Sequence, residues 1–278
     1  MHAFLHPARY EIHRAPTRPH PSPSATESRA LPLVPDRTSP HDFRPHDFWQ
    51  VVYPAGTFAS GAGQAWRDLY PAALPDGRQI ALPIRVLPGD GSAAVASLIV
   101  NQASFAVEDA LCDAMAERAA RFEPEVVIGV PTLGLPLANG VARRLGHDRM
   151  VALGTSRKFW YDDGLSEPMS SITSPAHAKR IFLDPRMLPL IGRRRVVVVD
   201  DVISSGASIR AVLALLAKAG ITPVGIVAAM LQGERWRATL ADFDPGVPAI
   251  VTAALASPRL ARSEDGLWSP EGEAFSFG

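Results

Sequence analysis

The sequence predicts an α/β fold: a mostly parallel, twisted sheet flanked by helices. Two observations carry this. From Glu125 onward, short apolar strand-like runs alternate with helical segments, an order that calls for right-handed crossovers and a parallel sheet. Within that order stands Val196-Val-Val-Val199, the most β-branched stretch of the 278 residues, unbroken as in a strand buried on both faces.

Taken in order, the elements read as follows. Order is expected from near Phe48, where Phe48-Trp-Gln-Val-Val-Tyr53 has the aromatic content of a strand or an anchoring segment. Arg67–Leu74 and Arg78–Leu87 flank Pro75-Asp76-Gly77, whose turn chemistry predicts a β-hairpin. Phe105–Phe122 is a helix, with Val107, Leu111, Met115 and Ala119 recurring every fourth residue and Cys112 as a buried thiol within it. Val126–Val130 is a buried strand, Leu137–Leu145 a helix stopped by Gly146, and Met150–Leu153 a second strand. Val196–Val199 follows, ended by Asp200 and Asp201. Ser208–Ala219 is then a helix closed by Gly220, and Val224–Met230 another strand. No solenoid repeat is visible.

Composition excludes more than it suggests. Lys+Arg and Asp+Glu are 28 each, so no wide cationic field is available to hold nucleic acid. The single cysteine excludes an internal disulfide and a cysteine-cluster zinc site. No apolar run approaches the roughly 20 residues that span a bilayer, and Met1–Tyr10 lacks the apolar core of a secretory signal. A protein without membrane or nucleic-acid partners, in the cytoplasm, is the expectation. Residues 1–45 hold nine of the 26 prolines, and the first 46 hold six of the eight histidines. Without a periodic apolar face, 1–45 reads as a disordered extension, and no two of its histidines sit at i and i+4 on a plausible helix, as a metal site there would need.

The informative stretch is Val196-Val-Val-Val-Asp200-Asp201-Val-Ile-Ser204-Ser205-Gly206-Ala207-Ser208. In open α/β sheets ligands bind beyond the carboxyl ends of strands, where this segment belongs. A helix N-terminus after a serine- and glycine-rich loop suits a phosphate, through free N–H groups, hydroxyl donors and close backbone approach. Two carboxylates beside it would repel the phosphate. They suit the vicinal hydroxyls of the sugar that carries it, or a cation. Three other readings compete. A Walker B strand lacks its partner, since no G-x-x-x-x-G-K-[ST] occurs. A receiver-type acidic pocket lacks a further strand-end aspartate, because Asp242 and Asp244 follow no buried strand. A plain capped turn needs one small polar residue, and here there are five small residues and two carboxylates.

Those thirteen residues resemble the 5-phosphoribosyl-1-pyrophosphate (PRPP) signature of the type I phosphoribosyltransferases. Val126–Leu145 (VVIGVPTLGLPLANGVARRL) resembles the strand, pyrophosphate loop and helix that precede it in that family. Arg157-Lys158 is similar to the Arg-Lys pair of the xanthine and adenine enzymes, and Asn101-Gln102, more weakly, to an asparagine that contacts the base in the xanthine enzymes. The resemblance covers about residues 98–232. It implies the type I phosphoribosyltransferase fold over 46–278, with a core at about 101–234 and a small hood from about 46–100 and 235–278. It also implies a magnesium-dependent transfer of phosphoribose from PRPP to a nucleobase, a purine first, by a homodimer.

By the same resemblance, Ser204, Ser205, Gly206, Ala207 and Ser208 would cradle the 5-phosphate. Asp200 and Asp201 would accept from the ribose hydroxyls and adjoin the metal, mostly through substrate oxygens or water. Thr132, Leu133 and Gly134, with Arg157 and Lys158, would hold the pyrophosphate, Lys158 acting on the leaving group. The plain alternative for Arg157-Lys158 is a solvated surface pair. Between Lys158 and Arg193 a flexible hairpin is implied, with Ser170, Ser171, Lys179 and Arg180 as contacts. The acceptor is the open point. No lysine follows Lys218, so the one that commonly reads the purine oxygen is missing, and Gln232 and Trp236 are the weak substitutes. A non-catalytic PRPP-binding regulator and an acceptor other than a nucleobase stay open as alternatives.

Overall fold

A computed structural model of the chain describes residues 43–61, 63–169 and 179–271. The 1–45 extension, up to residue 42, lies outside them, as do its histidines before His46. Phe43 already packs at the start of the described chain, its ring 5.3 Å from that of Phe48 and 6.1 Å from that of Phe58. Four short strands open the fold: β1 Val52–Tyr53, β2 Leu69–Ala73, β3 Gln79–Val86 and β4 Ala93–Ala96. β2 and β3 form the expected hairpin. In its Pro-Asp-Gly turn the Gly77 N–H donates to the Leu74 carbonyl at 2.9 Å, and Asp76 Oδ1 accepts from the Arg78 N–H at 3.0 Å.

Helix α1, Phe105–Ala120, is capped by Ser104, whose Oγ accepts from the Val107 N–H and donates to the Gln50 carbonyl at 2.8 Å. One hydroxyl thus starts the helix and ties it to the segment before β1. The parallel elements follow: β5 Val126–Gly129, α2 Gly134–Arg144 and β6 Val151–Ala152. A two-stranded antiparallel ribbon, β7 Ser166–Met169 and β8 Lys179–Phe182, occupies the position of the implied hairpin. Then come α3 Leu188–Ile191, β9 Val196–Ile203, α4 Ala207–Lys218, β10 Gly225–Gln232, α5 Arg235–Ala241, β11 Val251–Ser257, β12 Arg259–Arg262 and β13 Trp268–Pro270.

The second sheet has the order β11-β10-β9-β5-β6, and all its pairings are parallel. Its two faces separate by the strand period of two. Val127, Val197, Val199 and Val227 pack against α1, α2 and the antiparallel sheet. Val126, Ile128, Val196, Val198 and Ile226 pack against α4, α5 and the ribbon. A strand covered on both sides needs apolar residues at every position, which is why Val196–Val199 reads as a run rather than an alternation.

Three expectations need correction. Asp200 and Asp201 do not end the strand: β9 continues to Ile203, with Val202 and Ile203 in register with Met230 and Leu231 of β10. Pairing to a neighbour, not side-chain polarity, sets where β9 stops. α2 begins three residues before Leu137, since Pro136 in the first turn gives up an N–H that the helix would not use. Lastly, 235–278 is not all hood. α5 buries Trp236 and Leu240 in the parallel core and β11 pairs with β10; only β12 and β13 join the antiparallel sheet, through β4.

α1 and α2 touch closely at Gly140, where an added Cβ would lie 2.4 Å from the buried Cys112 sulfur. Desolvation pushes the Cys112 thiol up to about 12, in keeping with a packing role. Gly140→Ala gains about 1 kcal/mol of helix propensity, but overpacking costs about 1–3 kcal/mol, and the overlap here is severe. The variant is expected to melt several degrees below wild type, and Cys112→Ala in the same chain is expected to recover part of the loss. An unchanged melting temperature for Gly140→Ala would contradict this packing.

Candidate functional site

The carboxyl edge of the parallel sheet gathers the ends of β5, β6 and β9, which are neighbours in space. At β9, Asp200 is 5% exposed and Asp201 half-buried. Asp200 Oδ1 accepts the Asp201 N–H at 2.9 Å. Burial, reinforced by the Asp201 carboxylate, raises the Asp200 carboxyl well above the ordinary aspartate range.

β9 then turns into α4 through Ser204-Ser205-Gly206. Gly206 precedes the first helical residue with φ +81°, and a Cβ there would meet the Trp236 backbone at 3.2 Å. Positive φ and close approach both demand glycine. Ser205 Oγ accepts the Ala207 N–H at 3.3 Å, while Ser204 and Ser208 are exposed. The unpaired N–H groups of the first turn of α4 therefore open on a loop of hydroxyls, an arrangement that suits a phosphate.

The β5 loop lies against this strand end. Val130 N–H donates to the Val199 carbonyl at 2.9 Å, and the Pro131–Thr132 peptide is cis. Gly134, first residue of α2, sits where a Cβ would be 2.9 Å from Asp200 Cα and 3.0 Å from its Oδ1. Thr132 is exposed and Leu133 half-buried beside it. The structure thus seats the 131–134 segment on Asp200, the first residue of the 200–208 segment.

Beyond β6, Arg157 and Lys158 are both exposed. Arg157 pairs with Asp163 through Nε at 2.7 Å and Nη2 at 3.1 Å, so this half of the pair is held by its own loop. Lys158 has no ion-pair partner among the described residues. Next to it Phe159 is 89% exposed, and its ring makes an edge contact with Trp160 at 4.7 Å. The Trp160 indole donates to Asp184 at 3.4 Å, and Arg186 lies 4.5 Å over its ring. The Arg186 guanidinium holds the Asp184 carboxyl down at about 2. This Trp160–Asp184–Arg186 group was not read from the sequence. Its members come from two loops brought near each other by the Gly154–Phe182 bridge and the Tyr161–Phe182 ring contact.

The residues offered for an acceptor fall differently. Asn101 is exposed in the turn before α1. Since α1 leads by a short link to the start of β5, its other end, about 24 Å away for 16 residues, lies at the carboxyl edge with Asn101. Gln232 directs its amide N–H to the Ala96 carbonyl at 2.7 Å, joining β10 to β4. Trp236 is 1% exposed and donates to the Gly233 carbonyl at 3.1 Å, so it backs the 204–206 loop and presents no stacking face. Ser170 and Ser171 lie outside the described residues; Lys179 opens β8, and Arg180 donates to Ser166 Oγ at 2.6 Å. Among the described residues no three His, Cys, Asp or Glu side chains form a metal cage, and no helix is long and apolar enough to cross a membrane.

Residues 100–251 match the family model of the phosphoribosyl transferase domain. The chain is 33% identical over 155 residues to an orotate phosphoribosyltransferase of Xanthomonas campestris, covering 53% of this chain and 63% of that protein. The bifunctional protein PyrR of Deinococcus deserti is 34% identical over 132 residues, 46% of this chain and 67% of that one. Among solved structures, an adenine phosphoribosyl transferase from Trypanosoma brucei aligns with a TM-score of 0.45 at 16% identity, over 67% of this chain and 75% of that chain. The chain spans a little under two thirds of the length of the curated orotate phosphoribosyltransferases it matches.

The Asp200 environment has a measurable consequence. Its carboxyl titrates higher in the folded chain than in the unfolded one, so the folded state holds the extra proton and stability falls as pH rises above about 4. Asp200→Asn removes the charge and keeps the shape. The ligand-free variant is expected to melt above wild type, with a gap that widens from pH 4 to pH 8 in thermal melts. A gap that is constant or narrows with pH would contradict a desolvated carboxyl.

Proposed function

The chain belongs to the phosphoribosyl transferase domain family, and from that premise we propose that it transfers 5-phosphoribose from PRPP to a nucleobase with release of pyrophosphate. The observation that carries this reading is the seating of the 131–134 loop, through Gly134, on Asp200, whose strand runs on into the Ser204–Ser208 loop at the start of α4. One phosphate group can then be held at the start of α4 and a diphosphate beside the start of α2, with a sugar between them over Asp200 and Asp201.

In this proposal the hydroxyls of Ser204, Ser205 and Ser208 and the N–H groups at Gly206 and Ala207 hold the 5-phosphate, the Ala207 N–H exchanging Ser205 Oγ for a phosphate oxygen. Asp201, the more accessible carboxylate, accepts from the ribose hydroxyls, and Asp200 fixes the Asp201 backbone. The C1–oxygen bond breaks with its electron pair leaving on pyrophosphate, and a ring nitrogen of the base forms the new C1–N bond with its lone pair, its proton passing to water. Lys158, exposed and without an ion-pair partner among the described residues, answers the charge that develops on the leaving group, and Arg157 joins it by exchanging Asp163 for pyrophosphate. Two adjacent carboxylates, with no third ligand among the described residues, fit a magnesium ion that takes most of its ligands from substrate oxygens and water. Bound there, the ion would neutralise pyrophosphate charge.

The curated relatives named for orotate, together with the missing purine-reading lysine, make a pyrimidine the first acceptor to test, ahead of a purine. The protein is incubated with PRPP, magnesium and each of orotate, uracil, adenine, guanine, hypoxanthine and xanthine, and pyrophosphate is measured. Release with one or a few bases and none without a base is expected. Binding of PRPP without turnover on any base would favour the non-catalytic regulator, and base-independent release would remove the transferase reading.

Two variants test the placement of roles. Asp201→Asn is expected to weaken PRPP binding by about tenfold, the loss of a charge-assisted hydrogen bond, with its melting temperature kept. Lys158→Ala is expected to lower kcat about a hundredfold with little change in PRPP affinity, as for loss of one transition-state donor. Undiminished binding in the first, or an unchanged kcat in the second, would overturn the corresponding role.

A further inference from the structure

We propose that the amino-terminal edge of the parallel sheet carries a second small-molecule site, for a compound bearing an oxyanion on an apolar or aromatic body. A cavity of about 460 Å³ opens there, at the ends of β5 and β6 opposite to the 131–134 and 157–158 segments. Its volume lies within the roughly 300–1,000 Å³ of small-molecule sites. The apolar lining is Val126, Leu145, Val151 and Leu190, and the polar lining includes Arg149 and Arg194. A second cavity of about 430 Å³ shares residues 146–149 with the first and adds Arg143.

The charges at this edge are unevenly matched. Arg144 and Arg195, just outside the lining of the first cavity, are paired with Asp109, Asp113 and Glu125. Arg143, Arg149 and Arg194 have weaker company: Asn139 Oδ1 at 2.9 Å, the Met187 sulfur at 3.6 Å and the Leu190 carbonyl at 2.8 Å. Glu125 is already engaged, its Oε2 accepting the Arg195 N–H at 2.9 Å. That leaves Asp148 as the one acidic lining residue, among the described residues, to oppose three guanidiniums.

The carbonyls at the end of α2 do not face an anion bare. Gly146 N–H donates to the Arg143 carbonyl at 3.1 Å and His147 N–H to the Ala142 carbonyl at 2.9 Å. Guanidinium forks bind carboxylate and phosphate in two-point fashion, and the apolar lining gives the rest of such a molecule a surface to cover. The site is separate from the phosphate loop of α4, and its existence does not depend on the proposed transfer reaction.

The 278-residue chain is titrated with inorganic phosphate, phenyl phosphate and benzoate, and backbone amide shifts are followed by NMR. Shifts across 145–151 and 190–194 are expected with phenyl phosphate or benzoate, and which of the two binds tighter distinguishes phosphate from carboxylate recognition. Inorganic phosphate, without the apolar body, is expected to perturb 204–209 first. The double variant Arg149→Gln, Arg194→Gln is expected to weaken binding at this edge by about tenfold or more while leaving the phosphate response at 204–209 unchanged. Shifts confined to 204–209 with every probe, or unchanged binding in the double variant, would overturn the proposal.

Discussion

Helix α2 starts against the middle of β9, and the contact is made at Gly134, where a Cβ would lie 2.9 Å from Asp200 Cα and 3.1 Å from the Val199 carbonyl. Most of the carboxyl edge depends on that approach. It sets the height of the 131–133 loop over the sheet and so its distance from the 204–208 loop on the neighbouring strand. It also closes one side of the Asp200 carboxyl, which is part of why that group is desolvated. Gly129 repeats the constraint one turn below, where a Cβ would meet Ala138 at 2.7 Å. Two side-chain-free positions on β5 and α2 thus seat the helix on the sheet and leave its N-terminus open to a ligand.

The buried aspartate works against the stability of the chain and in favour of order at the site. Its carboxylate accepts one backbone N–H from Asp201 and faces a second carboxylate, which is poor compensation for burial. A phosphate-bearing ligand with hydroxyls, or a cation, would supply what the protein withholds. Destabilising groups gathered at a strand end are characteristic of binding sites. The Asp184–Arg186–Trp160 group is the contrasting case, with its charges paired directly within one loop and its aromatic ring beneath the guanidinium.

The antiparallel sheet is joined to the core by a few polar bonds as well as by apolar burial. Gln232 reaches Ala96, Ser104 reaches Gln50, and Gln50 donates to Gln102 at 2.8 Å. These bonds put Asn101 and the end of β10 under one roof. They also explain why Gln232 looked available from the sequence: a polar residue at a strand end serves a ligand or a neighbouring sheet equally well, and only the neighbour's position decides. Trp236 was ambiguous for the same reason. A tryptophan on a short helix fits a base or a core, and the 3.2 Å approach of Gly206 to its backbone places it beneath the loop.

The order of core elements, the hairpin at Pro75-Asp76-Gly77, the buried Cys112 and the segment 196–208 were all legible in the sequence, because each rests on local periodicity, turn chemistry or the spacing of small and acidic residues along one strand and loop. What the sequence left undecided are matters of distance between segments far apart in the chain. The length of β9 followed from its pairing with β10, the assignment of α5 and β11 to the core from their packing, and the engagement of Arg157 from an aspartate six residues away on a folded loop. Gly134 shows the division best. Its presence could be read directly, but that it must lack a side chain was decided only when α2 came to rest on Asp200, since steric exclusion is a property of two surfaces in contact and not of either one alone.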